Sequence, residues 1–148
     1  MYEQLSRQRV VIEATLLKPN MVLPGTESDS QVSDDQIALA TLEVLRRAVP
    51  AAVPGILFLS GGQSDEQATA RLDAVNRLAP QPWELSFSFG RALQAPVLKA
   101  WAGEDANRPA AQAALLKRAR LNGAARRGAY TADLEESAPV AAATVAPH

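Results

Sequence analysis

The chain has 148 residues, 47% of them hydrophobic, with 15 basic against 16 acidic side chains. That length suits one ordinary domain, and the near balance of charge excludes a basic nucleic-acid surface and a single-sign interaction tail. Cysteine is absent and His148 is the one histidine. Disulfides, thiolate chemistry, Cys/His zinc sites and a Ser-His-Asp triad inside the domain are therefore excluded, leaving Lys, Arg, Asp, Glu, Ser, Tyr and backbone groups to carry any chemistry.

No stretch approaches the roughly 18 apolar residues of a membrane span. The opening MYEQLSRQRV has no apolar core of the secretory type. The expectation is a cytoplasmic chain with neither membrane nor nucleic-acid partners.

Residues 10–17, VVIEATLL, are β-branched and apolar with one acidic interruption. Apolar character on both faces predicts a buried strand of the parallel kind. The loop KPNMVLPGTESDSQ follows, punctuated by Pro19, Pro24 and Gly25. Ser33 and Gln36 then form a capping box for a helix running to about Arg47, with Ile37, Ala38, Leu42 and Leu45 as its apolar stripe. GILFLSG predicts a second buried strand, closing on Ser60-Gly61-Gly62. A helix over about Asp65 to Leu78 follows, with Ala68, Leu72, Val75 and Leu78 on one side, and is broken by Pro80 and Pro82. WELSFSFG, Trp83 to Gly90, predicts a third strand with Leu85, Phe87 and Phe89 alternating with Ser86 and Ser88. It runs into RALQAPVLKAW. The alanine-rich PAAQAALLKRARLNGAARRG predicts a further helix with Leu115, Leu116 and Ala119 on an apolar face. From Tyr130 the pattern weakens: residues 131–148 are expected to be a flexible tail, with Tyr130, Asp133, Glu135 and Glu136 in solvent.

The order is βα, βα, βα, then a helix and a tail, which is an α/β class with parallel strands. Every polar signal of interest falls just past a strand's carboxyl end. Barrel and open-sheet α/β proteins both place active sites there. A closed barrel needs eight strands and about 250 residues. Three strands imply either a small sheet or the back part of something larger, and strands buried on both faces favour the second.

Lys18 lies at the first strand's end. Packed among other cations, a lysine there would form a Schiff base with a ketone; otherwise its stem lies over Leu16 and its head reaches water. Position alone favours the second. The Ser60-Gly61-Gly62 turn has donors suited to an anion, but lacks the spacing of a Walker loop or dinucleotide fingerprint. Gly90-Arg91 opens a helix beside it and suits a phosphate clamp, or a solvated arginine. Glu13, by alternation, points away from Lys18 and is not cast as a base. Asp65-Glu66 suit the first turn of a helix and need no further role.

TLLKPNMVLPG, GILFLSGGQSDEQA and WELSFSFGRALQAPVLKAW together resemble class I fructose-bisphosphate aldolase, the metal-free Schiff-base type, over about Val10 to Tyr130. The resemblance implies a partial TIM (β/α)8 barrel comprising strands six to eight, with residues 1–130 as the carboxyl-terminal portion. It implies Lys18 as the imine-forming lysine, Ser60, Gly61, Gly90 and Arg91 as substrate phosphate-binding residues, a sugar-phosphate substrate, and no metal or other cofactor. Acidic residues for proton transfer belong to the family's amino-terminal part. A homo-oligomer or a complementing amino-terminal barrel fragment is the implied partner. Another Schiff-base aldolase, or a non-catalytic fragment that binds phosphate or docks through barrel edges, are the alternative readings.

Overall fold

A computed structural model of the chain describes residues 1–78 and 80–136. Helix α1 (Tyr2–Arg7) precedes β1 (Leu16–Leu17), α2 (Asp34–Ala48), β2 (Gly55–Phe58), α3 (Asp65–Arg77), β3 (Glu84–Phe87), α4 (Arg91–Trp101), α5 (Arg108–Ala125) and the short α6 (Asp133–Glu136). The strands form one parallel sheet in the order β1-β2-β3. Among the described residues the outer edges of β1 and β3 are unpaired, so the sheet is open and no barrel closes. The α/β class with parallel strands is as expected.

The helices begin where their side chains satisfy free backbone donors. Ser33 caps α2, its hydroxyl accepting from Gln36 N–H while the Gln36 side chain accepts from Ser33 N–H, as the sequence predicts. Ser64 and Gln67 repeat the box at α3. Ile37, Ala38, Leu42 and Leu45 of α2 and Ala68, Leu72 and Val75 of α3 then bury against Ile56, Phe58 and Leu85 of the sheet. Fully burying side chains such as Phe58, Leu42 and Leu72 stabilises the fold by about 1.5–3 kcal/mol each. Arg71 ties the layer together: its Nε donates to Asp34 Oδ1 (3.0 Å) and its Nη1 to Gln63 Oε1 (3.2 Å), so α3 holds both α2 and the turn after β2.

Three expectations are corrected. The first strand does not run over 10–17: Ile12–Ala14 is a 3-10 turn. Thr15 donates to the Ile12 carbonyl from both N–H (3.0 Å) and hydroxyl (2.7 Å), and Ala14 N–H to Val11 (3.1 Å). These local bonds outcompete β propensity on a segment with only one neighbouring strand. Glu13 lies in that turn, so strand alternation does not assign its direction.

The strands are not buried on both faces. Ile56 and Phe58 are fully buried under the helices, whereas Leu16, on the other face, is 64% exposed and Leu57 is half-buried.

The apolar face of α5 is not the one expected. Leu115, Leu116 and Ala119 are exposed, and the inward stripe is Ala111, Arg118, Leu121, Asn122 and Ala125. Its spacing is helical, but two of its members are polar. They are accepted because α3 presents polar partners, Thr69 and the Asp65 carbonyl, at the contact.

Candidate active site

Lys18 follows Leu17 at the end of β1. The Leu17–Ile56 register continues beyond the strand, since Leu59 N–H donates to the Pro19 carbonyl at 3.0 Å. Lys18 is therefore level with Leu57 and, across β2 and β3, with Ser86. By strand alternation it projects from the face of Leu57, opposite the one that α2 and α3 cover. It is exposed, and makes no hydrogen bond or ion pair with another described residue.

The loops beyond the three strands are bound to one another sideways. Asn20 donates through Nδ2 to the Gly61 carbonyl (3.3 Å) and accepts the Met21 N–H at Oδ1 (3.0 Å), which joins the loops after β1 and β2. Thr41 of α2 accepts Val22 N–H at 3.0 Å and pins the same loop from the helical side. Ser60, 6% exposed, accepts the Ala92 N–H in the first turn of α4 at a long 3.4 Å, which joins the turns after β2 and β3. Ser88 N–H donates to the Phe58 carbonyl (2.8 Å), carrying β2–β3 pairing up to that point. Lys18, Ser60-Gly61 and Gly90-Arg91 thus occupy one end of one sheet.

Glycine is required at Gly62, whose φ is +77°. At Gly61 the constraint is proximity, because a Cβ would sit 2.9 Å from Leu59 Cδ1 and 3.6 Å from Asn20 Nδ2. The amides of Gly61, Gly62, Gly90 and Arg91 have no acceptor among the described residues. Those of Gly90 and Arg91 lie at the positive end of the α4 dipole. Arg91 is exposed and, with Lys99, Gln63, Ser64 and Asp65, lines a hollow of about 360 Å³ between the starts of α3 and α4. Gln63 Nε2 is buried there without a partner among the described residues.

A second polar cluster lies behind this rim, where α3 meets α5. Arg118 is 3% exposed. Its Nη1 donates to both oxygens of Glu135 (2.6 and 2.8 Å), and its Nη2 to the Asp65 carbonyl (2.9 Å) and the Thr69 hydroxyl. Thr69 in turn lies 2.8 Å from Asn122 Oδ1. Tyr130 donates its hydroxyl to Glu135 (3.1 Å), and its N–H to the buried Asp73 carboxylate (2.8 Å). Burial first, then the Glu135 carboxylate as charge and as hydrogen-bond acceptor, push the Tyr130 phenol up to about 12. Tyr130 and Glu135 were expected in solvent and are instead part of the packed structure. The signal for this packing was the spacing of Arg118 and Asn122 on α5, and it is carried by polar residues. Residues 137–148 of the expected tail, including His148, lie outside the described residues.

The parallel βα units, with lysine and anion-suited turns gathered at the strands' carboxyl ends, define a β/α protein whose candidate site is that rim. Comparison with known proteins is specific. The family described as fructose-bisphosphate aldolase class-I matches residues 1–147. The chain is 53% identical to fructose-bisphosphate aldolase 2 of Caenorhabditis elegans, with 99% of this chain and 40% of that protein aligned. It is 55% identical to the muscle-type enzyme of Lethenteron camtschaticum, covering 87% of this chain and 36% of that one. Aldolase of Plasmodium falciparum, solved in a ternary complex with TRAP and a small-molecule inhibitor, superposes with a TM-score of 0.86 at 45% identity, over 88% of this chain and 38% of that one. The chain belongs to the class I fructose-bisphosphate aldolase family. It spans about 36–40% of the length of these relatives.

Proposed function

We propose that the chain is the part of a class I aldolase barrel, its strands six to eight, that carries the imine-forming lysine and the binding site for one substrate phosphate. Lys18 would attack the C2 ketone of fructose 1,6-bisphosphate and expel water to form an iminium. As the C3–C4 bond breaks, its electron pair moves into the iminium. The proton of the C4 hydroxyl goes to a base outside the described residues, and glyceraldehyde 3-phosphate leaves. The enamine on Lys18 is protonated at C3, and hydrolysis releases dihydroxyacetone phosphate. Ser60, Gly61, Gly90 and Arg91 bind a phosphate of the substrate through their amides, a hydroxyl and a guanidinium. The observation that carries this reading is the sideways bonding of the rim, Asn20 to Gly61 and Ser60 to Ala92, which holds Lys18 and both turns at one end of one sheet.

A second reading has its own support. Lys18 is exposed on a sheet face that the described helices leave uncovered, and Leu16 beside it is 64% exposed. On that reading the 148-residue chain alone binds phosphate, or docks on a partner through its strand edges, without completing the reaction.

The test is cleavage of fructose 1,6-bisphosphate by the purified chain and its Lys18→Ala variant, alongside borohydride reduction in the presence of dihydroxyacetone phosphate. The first reading expects a reduced adduct on Lys18 that is lost in the variant, with little cleavage by this chain alone because the base for proton transfer lies outside the described residues. Phosphate binding with neither adduct nor cleavage, from a folded sample, would establish the second reading in place of the first.

A further inference from the structure

The asparagines of the chain are Asn20, Asn76, Asn107 and Asn122, and only Asn122 is followed by glycine. Gly123 carries no Cβ, so its amide nitrogen can fold back onto the Asn122 side-chain carbon and close a succinimide ring. The fold holds the two groups apart. Both residues lie in the last turn of α5, where a helical backbone engages the Gly123 N–H in the i→i−4 ladder. Asn122 is fully buried against α3, with the Thr69 hydroxyl 2.8 Å from its Oδ1, and its backbone carbonyl accepts the Arg126 N–H (2.9 Å). Its Nδ2, the nitrogen that ring closure expels, has no partner among the described residues. Nothing in the folded chain requires glycine at 123, because its φ is not positive and an added Cβ would meet only Arg127 Nη1, at 3.9 Å. Glycine there weakens the end of the helix relative to alanine.

We infer that Asn122-Gly123 is a self-modification site, kept shut by α5, that reacts when the end of this helix opens. With the turn undone, the Gly123 nitrogen gives its proton to water and bonds to Asn122 Cγ. The Cγ–Nδ2 bond breaks, and the side-chain nitrogen leaves as ammonia. Water then opens the ring on one of its two sides. Cleavage between Cγ and the Gly123 nitrogen leaves aspartate. Cleavage between the main-chain carbonyl carbon and that nitrogen leaves isoaspartate, whose backbone runs through the former side chain. Water is the only reactant consumed. The two products have different fates. Aspartate keeps the backbone, and its carboxylate faces the same Thr69 hydroxyl to which Arg118 Nη2 donates from one turn earlier in α5, so a cation stands ready to neutralise it. Isoaspartate lengthens the backbone by a methylene, which the helical ladder does not accept, and the last turn cannot re-form over Thr69. Opening of α5 is thereby recorded covalently, without any chemistry at Lys18.

The full chain, incubated at mildly alkaline pH in buffer and across a urea series, tests this by peptide mapping that separates Asn, Asp and isoAsp at position 122. Conversion should be at least about tenfold faster in denaturing urea than in buffer. In denaturing urea Asn122 should convert well ahead of Asn20, Asn76 and Asn107, and Gly123→Ala should remove most of the conversion in both media. Below the global transition the rate should barely depend on urea, because opening one helix end exposes little surface. Thr69→Ala removes the hydroxyl on which Asn122 rests without touching the reacting pair. It should speed conversion about threefold or more in buffer and leave the rate in denaturing urea unchanged. Equal rates in buffer and denaturing urea would overturn the proposal, as would an unfolded Asn122 no more labile than the other three asparagines. A rate that climbs with the globally unfolded fraction would refute local opening, and a folded Thr69→Ala chain that converts no faster in buffer would refute protection by the α3 contact. Should Thr69→Ala fail to fold, the urea series on the unmodified chain decides alone.

Discussion

Tyr130 connects a local environment to a measurable property of the whole chain. Partial burial and then the neighbouring Glu135 carboxylate push its phenol up from 10.0 to about 12 in the folded state. A raised folded value means that the neutral form is favoured by folding. The associated stability is fully present below pH 10, and is lost as pH rises from 10 through about 12. Chemical denaturation across that window should therefore show a steeper loss of stability in the unmodified chain than in Tyr130→Phe. Equal slopes would mean that the phenol is solvated in both states. At this scale legibility was uneven. Lys18, Ser60 and Arg91 could be singled out because their positions after strands are readable from turn chemistry. Arg118 could not, because a lone arginine in an alanine-rich helix looks solvated until a neighbouring helix is seen to offer Thr69 and the Asp65 carbonyl. Asn20 was hidden in a similar way. Its neighbour Pro19 announces a loop, but its partner Gly61 is 41 residues away.

Among the elements, α2 and α3 were legible because their start signals are local. A serine followed three residues later by glutamine satisfies two backbone donors wherever the tertiary structure places it. Ser64→Ala should lower stability by about 1 kcal/mol, measured by urea denaturation, and Ser33→Ala by a similar amount. The former carries a second consequence, since Ser64 ends the turn that begins at Ser60: loosening the cap should also weaken phosphate binding, whereas Ser33→Ala should not. If both variants lose stability and binding alike, the turn is not positioned by its cap. β1 was overread for the opposite reason. The run VVIEATLL has strand propensity throughout, but propensity is realised only where a partner strand supplies hydrogen bonds. Before Leu16 the local bonds that the Thr15 hydroxyl and N–H donate to the Ile12 carbonyl win. The face of α5 was misassigned because Leu115 and Leu116 outweigh Arg118 and Asn122 on any hydrophobic scale. Burial here followed hydrogen-bond complementarity instead.

For the molecule as a whole, the sheet has a covered face and an uncovered one. The covered face holds Ile56, Phe58 and Leu85 under two helices, and the uncovered one presents Leu16, Lys18 and Leu57. Open edges on β1 and β3 add unpaired backbone groups. The 148-residue chain by itself should consequently self-associate in a concentration-dependent way, visible as a rising sedimentation coefficient, and Leu16→Ser should shift it towards monomer. A concentration-independent monomer would show that this face is tolerated in water. The parallel topology was legible from the βαβ order, because crossover helices leave few other arrangements. Which face would lack a cover was legible only in β3, where Ser86 alternates with Leu85 and Phe87, since the apolar runs of β1 and β2 read alike on both sides.

The sideways bonding of the rim also divides the loops by how much change in chain length they can absorb. From Pro19 to Val22 each step is committed: Pro19 to Leu59, Asn20 to Gly61, Val22 to Thr41. Adding a residue there would break at least one of these bonds and swing Lys18 away from its neighbours. A few residues later, from Gly25 to Gln31, the chain is exposed, and its bonds, such as Ser28 to Gly25 and Ser30 to Ser28, close only on itself. Lengthening, shortening or grafting at that second stretch leaves the register of the sheet and the cap of α2 untouched. The loop that begins at the lysine is thus held as far as Val22 and free to diversify from Gly25, so a change in what approaches the rim need not disturb the amine at its base.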